Sequence, residues 1–275
     1  VKALFTMPTS LPILTLNYVA DGLPPTDNIV QFGLAAEDEA TRLATAVAGL
    51  GYNKPLVLTV DRSWARRAAN RFKQQWLAEG KLQPNENTLS ISSNFSQEIA
   101  ETLELTNSEA RHQALQNATA MQFEFVPRRR QDHDAIILFA NSHDTKNITP
   151  LLAYPYAAGL PVFASSYSYE PGDASSNTDL NGIIFSEMPW FLHQSQSHNN
   201  NEPESNRINA TKAHQRLFAM GIDAYRLHYR INQLRNFPAD SWWANTGNLS
   251  IREQRVIRDL PIAQLVSGQP QLLYQ

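Results

Sequence analysis

The chain has 275 residues, which is enough for about two domains of ordinary size. Its 23 basic and 26 acidic side chains leave a net charge of −3, which excludes the strongly basic surface typical of nucleic-acid-binding proteins. Apolar residues make up 42% of the sequence, which excludes a wholly disordered chain. Cysteine is absent, which excludes disulfides, thiolate metal sites and cysteine nucleophiles.

The sequence has no run of about 18 apolar residues, so we expect no membrane-spanning helix. It opens with Val1 and lacks both an initiator methionine and the basic and apolar regions of a signal peptide. We therefore expect the chain to be a fragment, or the mature portion, of a longer protein.

Short apolar runs alternate with amphipathic segments, which is typical of a protein of alternating strands and helices. Strands are predicted at residues 11–18, 30–34, 55–61, 88–92, 135–140, 161–166 and 180–187. Helices are predicted at 37–50, 63–80, 145–158, 207–220 and 223–235, and in two pieces between 95 and 121. The run 135–140 is apolar throughout, as in a parallel sheet that is covered on both faces. Near the end, residues 247–251 and 256–265 predict two strands that pair with each other across a polar turn.

Motifs of known catalytic centres are absent: the sequence has no G-x-S-x-G, H-E-x-x-H, S-x-x-K, P-loop or G-x-G-x-x-G pattern. None of its seven histidines forms a pair at metal-binding spacing beside a third ligand. The triplets 132–134 (Asp-His-Asp) and 142–144 (Ser-His-Asp) are interpreted as polar strand ends rather than metal or acid–base sites. The basic triplet 128–130 is interpreted as a solvated loop rather than a phosphate site. The sequence thus carries none of these catalytic motifs, and we expect no metal and no cofactor.

Polar and aromatic side chains follow several of the predicted strands. In open α/β sheets, ligands bind at the carboxyl ends of the strands, where hydroxyls, amides and aromatic rings can hold a small polar molecule. The alternative is local capping, since Ser63 can cap the helix that it opens. The candidate cleft residues are Asn17, Tyr18, Asp61, Arg62, Ser63, Trp64, Ser165, Ser166, Tyr167 and Glu187.

Two late segments, 247–251 (Gly-Asn-Leu-Ser-Ile) and 258–262 (Arg-Asp-Leu-Pro-Ile), resemble strands of type I periplasmic binding proteins. Within that superfamily, the segments 33–40, 164–166, 185–189 and 217–225 resemble, in this order, the carboxyl-terminal domain of the LpoA family. The resemblance implies an α/β fold of two Rossmann-like lobes, with parallel sheets joined by crossover strands. It places residues 1–34 and 189–238 in a first lobe, incomplete in this sequence, and residues 35–188 and 239–275 in a second.

The LpoA family consists of outer-membrane lipoproteins that bind and stimulate a bifunctional penicillin-binding protein. The resemblance therefore implies a periplasmic interaction module that is not an enzyme and that activates the transpeptidase of penicillin-binding protein 1A. It implies a lipid anchor in the inner leaflet of the outer membrane, on a cysteine that this sequence lacks. Peptidoglycan is a second candidate partner, and nucleic acid is not expected. Aromatic pairs are candidates for the interaction surface, with core packing as the alternative: Trp190, Phe191, Trp242 and Trp243.

The alternative function is a solute-binding protein of an ABC transporter, which would close its cleft around an amino acid or another small polar ligand. In binding proteins of this fold, small hydroxyl residues stand where this chain has Asn17 and Tyr18, and a tyrosine often stands at the position of Trp64. The resemblance therefore favours the activator.

Overall fold

The structure is a computed structural model that describes residues 12–18, 28–91, 94–105, 112, 114, 116–119, 132–152, 159–196 and 212–274. Its strands are β1 (Ile13–Thr15), β2 (Ile29–Gln31), β3 (Pro55–Val60), β4 (Asn85–Leu89), β5 (Ala135–Phe139), β6 (Val162–Ala164), β7 (Ile184–Ser186), β8 (Trp242–Trp243), β9 (Asn248–Arg252), β10 (Arg255–Asp259), β11 (Ile262–Val266) and β12 (Gln269–Tyr274). Its helices are α1 (Ala36–Gly49), α2 (Ser63–Ala78), α3 (Phe95–Thr102), α4 (Ser142–Leu151), α5 (Pro189–Gln196), α6 (Lys212–Leu227) and α7 (Ile231–Asn236). Short 3₁₀ turns lie at Ser166–Ser168 and Ser175–Leu180.

The described strands form two sheets. The larger has the order β12-β11-β7-β6-β5-β3-β4, in which β4, β3, β5, β6 and β7 are parallel and β11 and β12 are antiparallel. The smaller has the order β1-β2-β10-β9-β8 and is mixed. The chain passes between the sheets after β2, after β7 and after β10, which confirms the predicted two-lobed α/β fold with crossover strands.

The core of the larger lobe follows from two strands that are apolar on both faces. Every residue of β3 and β5 is buried. Leu58 and Leu138 pack on one face with Ile148 of α4. Val57 and Ile137 pack on the other face with α1 and α2. Helices on both faces explain why these strands show no alternation of polar and apolar residues.

The smaller lobe has a separate core. On its sheet, Val30, Leu249 and Val256 pack against Leu227 of α6 and Leu234 of α7. Strands β9 and β10 form the antiparallel hairpin that the sequence predicted around a polar turn.

The prediction of one strand at residues 256–265 is wrong. These residues belong to two strands, because the chain turns at Leu260 and Pro261 and leaves the smaller sheet for the larger one. Residues 242–259 therefore lie in the sheet of the first lobe, whereas the sequence-based division assigned everything after 238 to the second. The signal in the sequence is Pro261, because a proline cannot donate to a sheet ladder and argues against one continuous strand.

Two helix boundaries also differ from the prediction. Helix α6 continues through Gly221, so the predicted break at that position is wrong, and the chain turns at 228–230 instead. A glycine costs only about 1 kcal/mol within a helix, and the packing of Met220 and Leu227 in one core keeps the helix continuous. Ser63 does not cap α2: Arg62 is the N-cap residue, and no side chain bonds there. The predicted loop at 128–130 and the predicted strand end at 11 lie outside the described residues.

Among the residues that the structure describes, no helix is both long enough and apolar enough to cross a membrane.

The turn between β11 and β12 needs a glycine at 268. Gly268 has φ +73°, and a Cβ atom there would lie 2.0 Å from the carbonyl oxygen of Ala174. We expect Gly268→Ala to lower the free energy of unfolding by about 2–4 kcal/mol, since left-handed strain and overpacking add. Gly182→Ala is the matched control, because Gly182 has φ +90° but open space around the Cβ position. It should cost only about 1 kcal/mol of strain. Urea denaturation measures both, and equal losses would contradict the steric argument.

Candidate functional site

Charged side chains from both lobes meet at the junction of the two lobes. Three elements of the larger lobe point there: the first turn of α1 and the carboxyl ends of β6 and β7. Helix α6 and strand β10 approach from the smaller lobe. The result is a buried polar network and, beside it, an open groove.

Arg216 of α6 reaches across the junction and forms a two-pronged ion pair with Glu187. Its Nη1 and Nη2 atoms each lie 2.9 Å from a carboxylate oxygen of Glu187, and Nη2 also donates to the carbonyl oxygen of Ser166 at 3.4 Å. The guanidinium lies over the ring of Phe191, 4.9 Å from its centroid. The hydroxyl of Tyr169 donates to Glu187 at 2.6 Å, and burial, with the nearby Glu187 charge, raises the pKa of this tyrosine well above its usual value. Arg216 therefore fills the crevice at the ends of β6 and β7.

Glu39 of α1 lies beside this pair and is only 4% exposed. It accepts hydrogen bonds from the backbone N–H and the hydroxyl of Ser166, both at 2.8 Å. Burial raises the pKa of Glu39 to about 7, although the positive charge of Arg216 opposes the shift. The network thus contains a carboxyl group that changes its charge near neutral pH.

A second arginine, Arg258 of β10, joins the lobes at the start of α1. Its Nε donates to Asp38 at 2.9 Å and its Nη2 donates to the carbonyl oxygen of Ala35 at 3.2 Å. Burial raises the pKa of Asp38, and the Arg258 charge opposes that shift. The hydroxyl of Tyr18 donates to the carbonyl oxygen of Val256 at 2.9 Å, which fastens the loop after β1 to the same strand.

A groove of about 1410 Å³ lies beside this network, between α1 and α2 on one side and β9 and β10 on the other. Four of the predicted cleft residues line it: Asn17, Tyr18, Trp64 and Tyr167. The rings of Trp64 and Tyr167 stack with their centroids 4.6 Å apart.

The other predicted cleft residues do not line this groove. Asp61 pairs with Arg66, and Arg62 pairs with Asp144 at 3.0 Å, so both charges are used within the larger lobe. Ser63 lies exposed in the first turn of α2. Ser165, Ser166 and Glu187 are buried. Ser166 and Glu187 are bonded by the chain's own Glu39 and Arg216, whereas the Ser165 hydroxyl has no hydrogen-bond partner among the described residues.

The four aromatic surface candidates fall into different environments. Phe191 is buried beneath Arg216. It is therefore not part of an exposed interaction surface, and the alternative of core packing holds for this residue. Trp190 is half-buried and meets Phe218 edge-on. Trp242 packs partly in the core of the smaller lobe, under Arg230, while Trp243 is exposed.

Sequence reasoning named Glu187 but missed Glu39, Arg216 and Arg258, although patterns in the sequence mark two of these three. Glu39 precedes Leu43 and Val47 by four and eight residues, so it lies on the buried stripe of α1. Arg258 stands two residues from Val256 and two from Leu260, so it shares their buried face of β10. A charged residue in an apolar register is the signal that could have found them. Arg216 has no comparable signal.

Comparison with known proteins places the chain in a family. The family model "LppC putative lipoprotein" matches residues 1–268. Penicillin-binding protein activator LpoA of Vibrio antiquarius is 30% identical over 254 residues, which cover 90% of this chain and 41% of that protein. The chain therefore spans about two fifths of the length of such relatives.

Solved structures show the same fold. The C-domain of Haemophilus influenzae LpoA, described as a regulator of PBP1A, matches with a TM-score of 0.73 and 21% identity, covering 94% of this chain and 73% of that one. "A putative branched-chain amino acid ABC transporter" of Chromobacterium violaceum matches with a TM-score of 0.66 and 21% identity, covering 94% and 74%. These matches confirm the periplasmic-binding-protein-like fold and the resemblance to LpoA. The chain belongs to the LppC lipoprotein family.

Proposed function

We propose that the chain is a non-enzymatic module that binds and stimulates a bifunctional penicillin-binding protein. One observation carries the proposal: a relative named penicillin-binding protein activator LpoA matches 90% of the chain at 30% identity. Binding that favours the active state of the synthase would raise its transpeptidase rate without any catalytic group from this chain. We further propose penicillin-binding protein 1A as the partner, since the Haemophilus C-domain is described as its regulator.

The proposal includes a location. A lipoprotein of this family would act in the periplasm, held to the inner leaflet of the outer membrane by a lipid anchor. Peptidoglycan remains a candidate second partner at that location.

The geometry supports an interaction module over a solute-binding protein. In a solute-binding protein, the crevice at the strand ends holds the ligand, and the lobes close around it. Here Arg216, with Glu187 and Ser166, fills that crevice, and Arg258 ties the lobes at a second point. Each ion pair joins the two lobes through one deeply buried member, since Glu187 is 1% exposed and Arg258 is 2% exposed. Separation of the lobes is therefore opposed, because it would leave these buried charges without their partners.

Surface plasmon resonance with the purified class A synthase of the same organism tests the proposal. We expect saturable binding and a rise in peptide cross-linking when the chain is added to the synthase. A solute-binding protein of the same fold serves as the control and should do neither. No binding up to high micromolar concentrations would contradict the proposed function.

A thermal-shift titration with amino acids and muropeptides tests the alternative. We expect no shift of the melting temperature, since the chain's own side chains occupy the strand-end crevice. A shift that saturates with an amino acid would support solute binding instead, because a ligand that binds only the folded state raises the melting temperature.

A further inference from the structure

We propose that the groove between α2 and the β9–β10 hairpin binds an extended acidic segment of the protein partner. The inference rests on the proposed function, because that function supplies the partner. It adds the surface that is used and the chemistry that this surface recognises.

One wall of the groove is a polar stripe of α2. Trp64, Arg67, Arg71 and Gln74 line the groove, at spacings of three and four residues that put them on one face of the helix. The opposite face of α2 is buried, with Phe72 fully enclosed in the core of the larger lobe. Because the apolar face of α2 is packed in the core, its polar face must line the groove.

The other wall is the outer face of the β9–β10 hairpin. Asn248, Ser250 and Arg252 alternate along β9 and line the groove, while Leu249 and Ile251 between them pack in the core of the smaller lobe. This alternation is that of a strand with one buried face, so the three polar side chains are held toward the groove.

The charges in the groove are unbalanced toward positive. Six arginines and four carboxylates line it, although the whole chain carries −3. Three of the carboxylates already have arginine partners: Glu37 with Arg67 at 2.7 Å, Asp38 with Arg258 at 2.9 Å and Asp259 with Arg42 at 3.4 Å. Exposed Arg71 and Arg252 have no carboxylate partner among the described residues, and they come from opposite walls.

Size and chemistry together favour an acidic polypeptide. Small-molecule pockets measure roughly 300–1,000 Å³, and this groove, at about 1410 Å³, is larger. A guanidinium can take a carboxylate with two parallel hydrogen bonds, so Arg71 and Arg252 can each hold one acidic side chain of the same segment. The side-chain amides of Asn70 and Asn248 also line the groove, and amides of this kind can pair with the peptide groups of an extended chain.

Charge reversal tests the proposal. The double variant Arg71→Glu/Arg252→Glu should bind the purified synthase at least tenfold more weakly than the wild type in surface plasmon resonance. Acetylated hexaglutamate should compete with the synthase for the wild-type chain, and hexalysine should not. Arg226→Glu is the matched control, because Arg226 is exposed on α6 and does not line the groove. It should bind like the wild type, and circular dichroism should show all variants folded.

The outcomes separate this inference from the proposed function. Equal synthase binding by the double variant and the control would overturn the groove as the docking surface. Competition by soluble muropeptides but not by hexaglutamate would overturn it in favour of a glycan ligand. If the wild type does not bind the synthase, the proposed function fails. The binding of fluorescent hexaglutamate to the wild type and to the double variant then tests the ligand chemistry of the groove by itself. If hexaglutamate binds the wild type and binds the double variant at least tenfold more weakly, the acidic-segment chemistry is supported. If hexaglutamate binds both equally or does not bind the wild type, the acidic-segment chemistry is overturned.

Discussion

The Arg216→Met variant is expected to lose about 3–5 kcal/mol of unfolding free energy, which is the usual result of removing one partner of a buried ion pair. Glu187 is 1% exposed, so without Arg216 its charge would stay buried with only the Tyr169 hydroxyl and the Met188 N–H as hydrogen-bond donors. Urea denaturation followed by the fluorescence of the five tryptophans measures the loss.

A double-mutant cycle provides the control for that result. Replacing Glu187 by Gln in the Arg216→Met background removes the stranded charge and should recover part of the lost stability. Arg216→Lys should fall between the wild type and Arg216→Met, because lysine keeps the charge but cannot form the two-pronged pair. A loss below 1 kcal/mol in Arg216→Met, or no recovery in the double variant, would show that the pair does not join the lobes.

Protonation of Glu39 is expected to make the protein more stable as the pH falls from 8 toward 5. Burial raises its pKa to about 7 in the folded state, above the ordinary glutamate value of 4.5. The folded state therefore binds this proton more tightly than the unfolded state, and the free energy of unfolding rises as pH falls through that window. At 1.36 kcal/mol for each pH unit between the two values, the full effect is on the order of 3 kcal/mol.

The charge count of the network gives the physical reason. Arg216 and Arg258 are already paired with Glu187 and Asp38, so Glu39 is a third carboxyl beside two guanidinium groups. In its neutral form it keeps the hydrogen bonds with Ser166 without adding an unbalanced buried charge.

Glu39→Gln imitates the neutral carboxyl and should be more stable than the wild type at pH 8 and nearly equal to it at pH 5. The stability difference between the two proteins, measured by urea denaturation at both pH values, isolates Glu39 from other titrating groups. Glu37→Gln is the control, since Glu37 is half-exposed and pairs with Arg67 at the surface. It should show the pH slope of the wild type. The same slope in Glu39→Gln would disprove the assignment.

Both results would bear on how the module acts. Under the proposed function, a junction held by the Arg216–Glu187 and Arg258–Asp38 pairs would present the synthase with a preformed groove, since the lobes do not need to close first. A preformed surface loses less conformational freedom on binding, which favours affinity.

The sequence alone determined the lobes' secondary structure wherever the pattern depends on local burial. The run 135–140 predicted a strand covered on both faces, and every residue of β5 is buried, because an apolar side chain on each face of a strand indicates that both faces are packed. The segments that resemble LpoA predicted the family, and the chain's matches confirmed it.

The tertiary structure decided which side chains meet. Ser166 and Glu187 were reasonable ligand residues from their places after strands, yet Arg216, distant in the sequence, occupies the space between them. It also decided that the chain changes sheets at Leu260, which gave the groove its β9–β10 wall. Local patterns report whether a residue is buried but not what it is buried against, because contacts between distant segments depend on how whole elements pack.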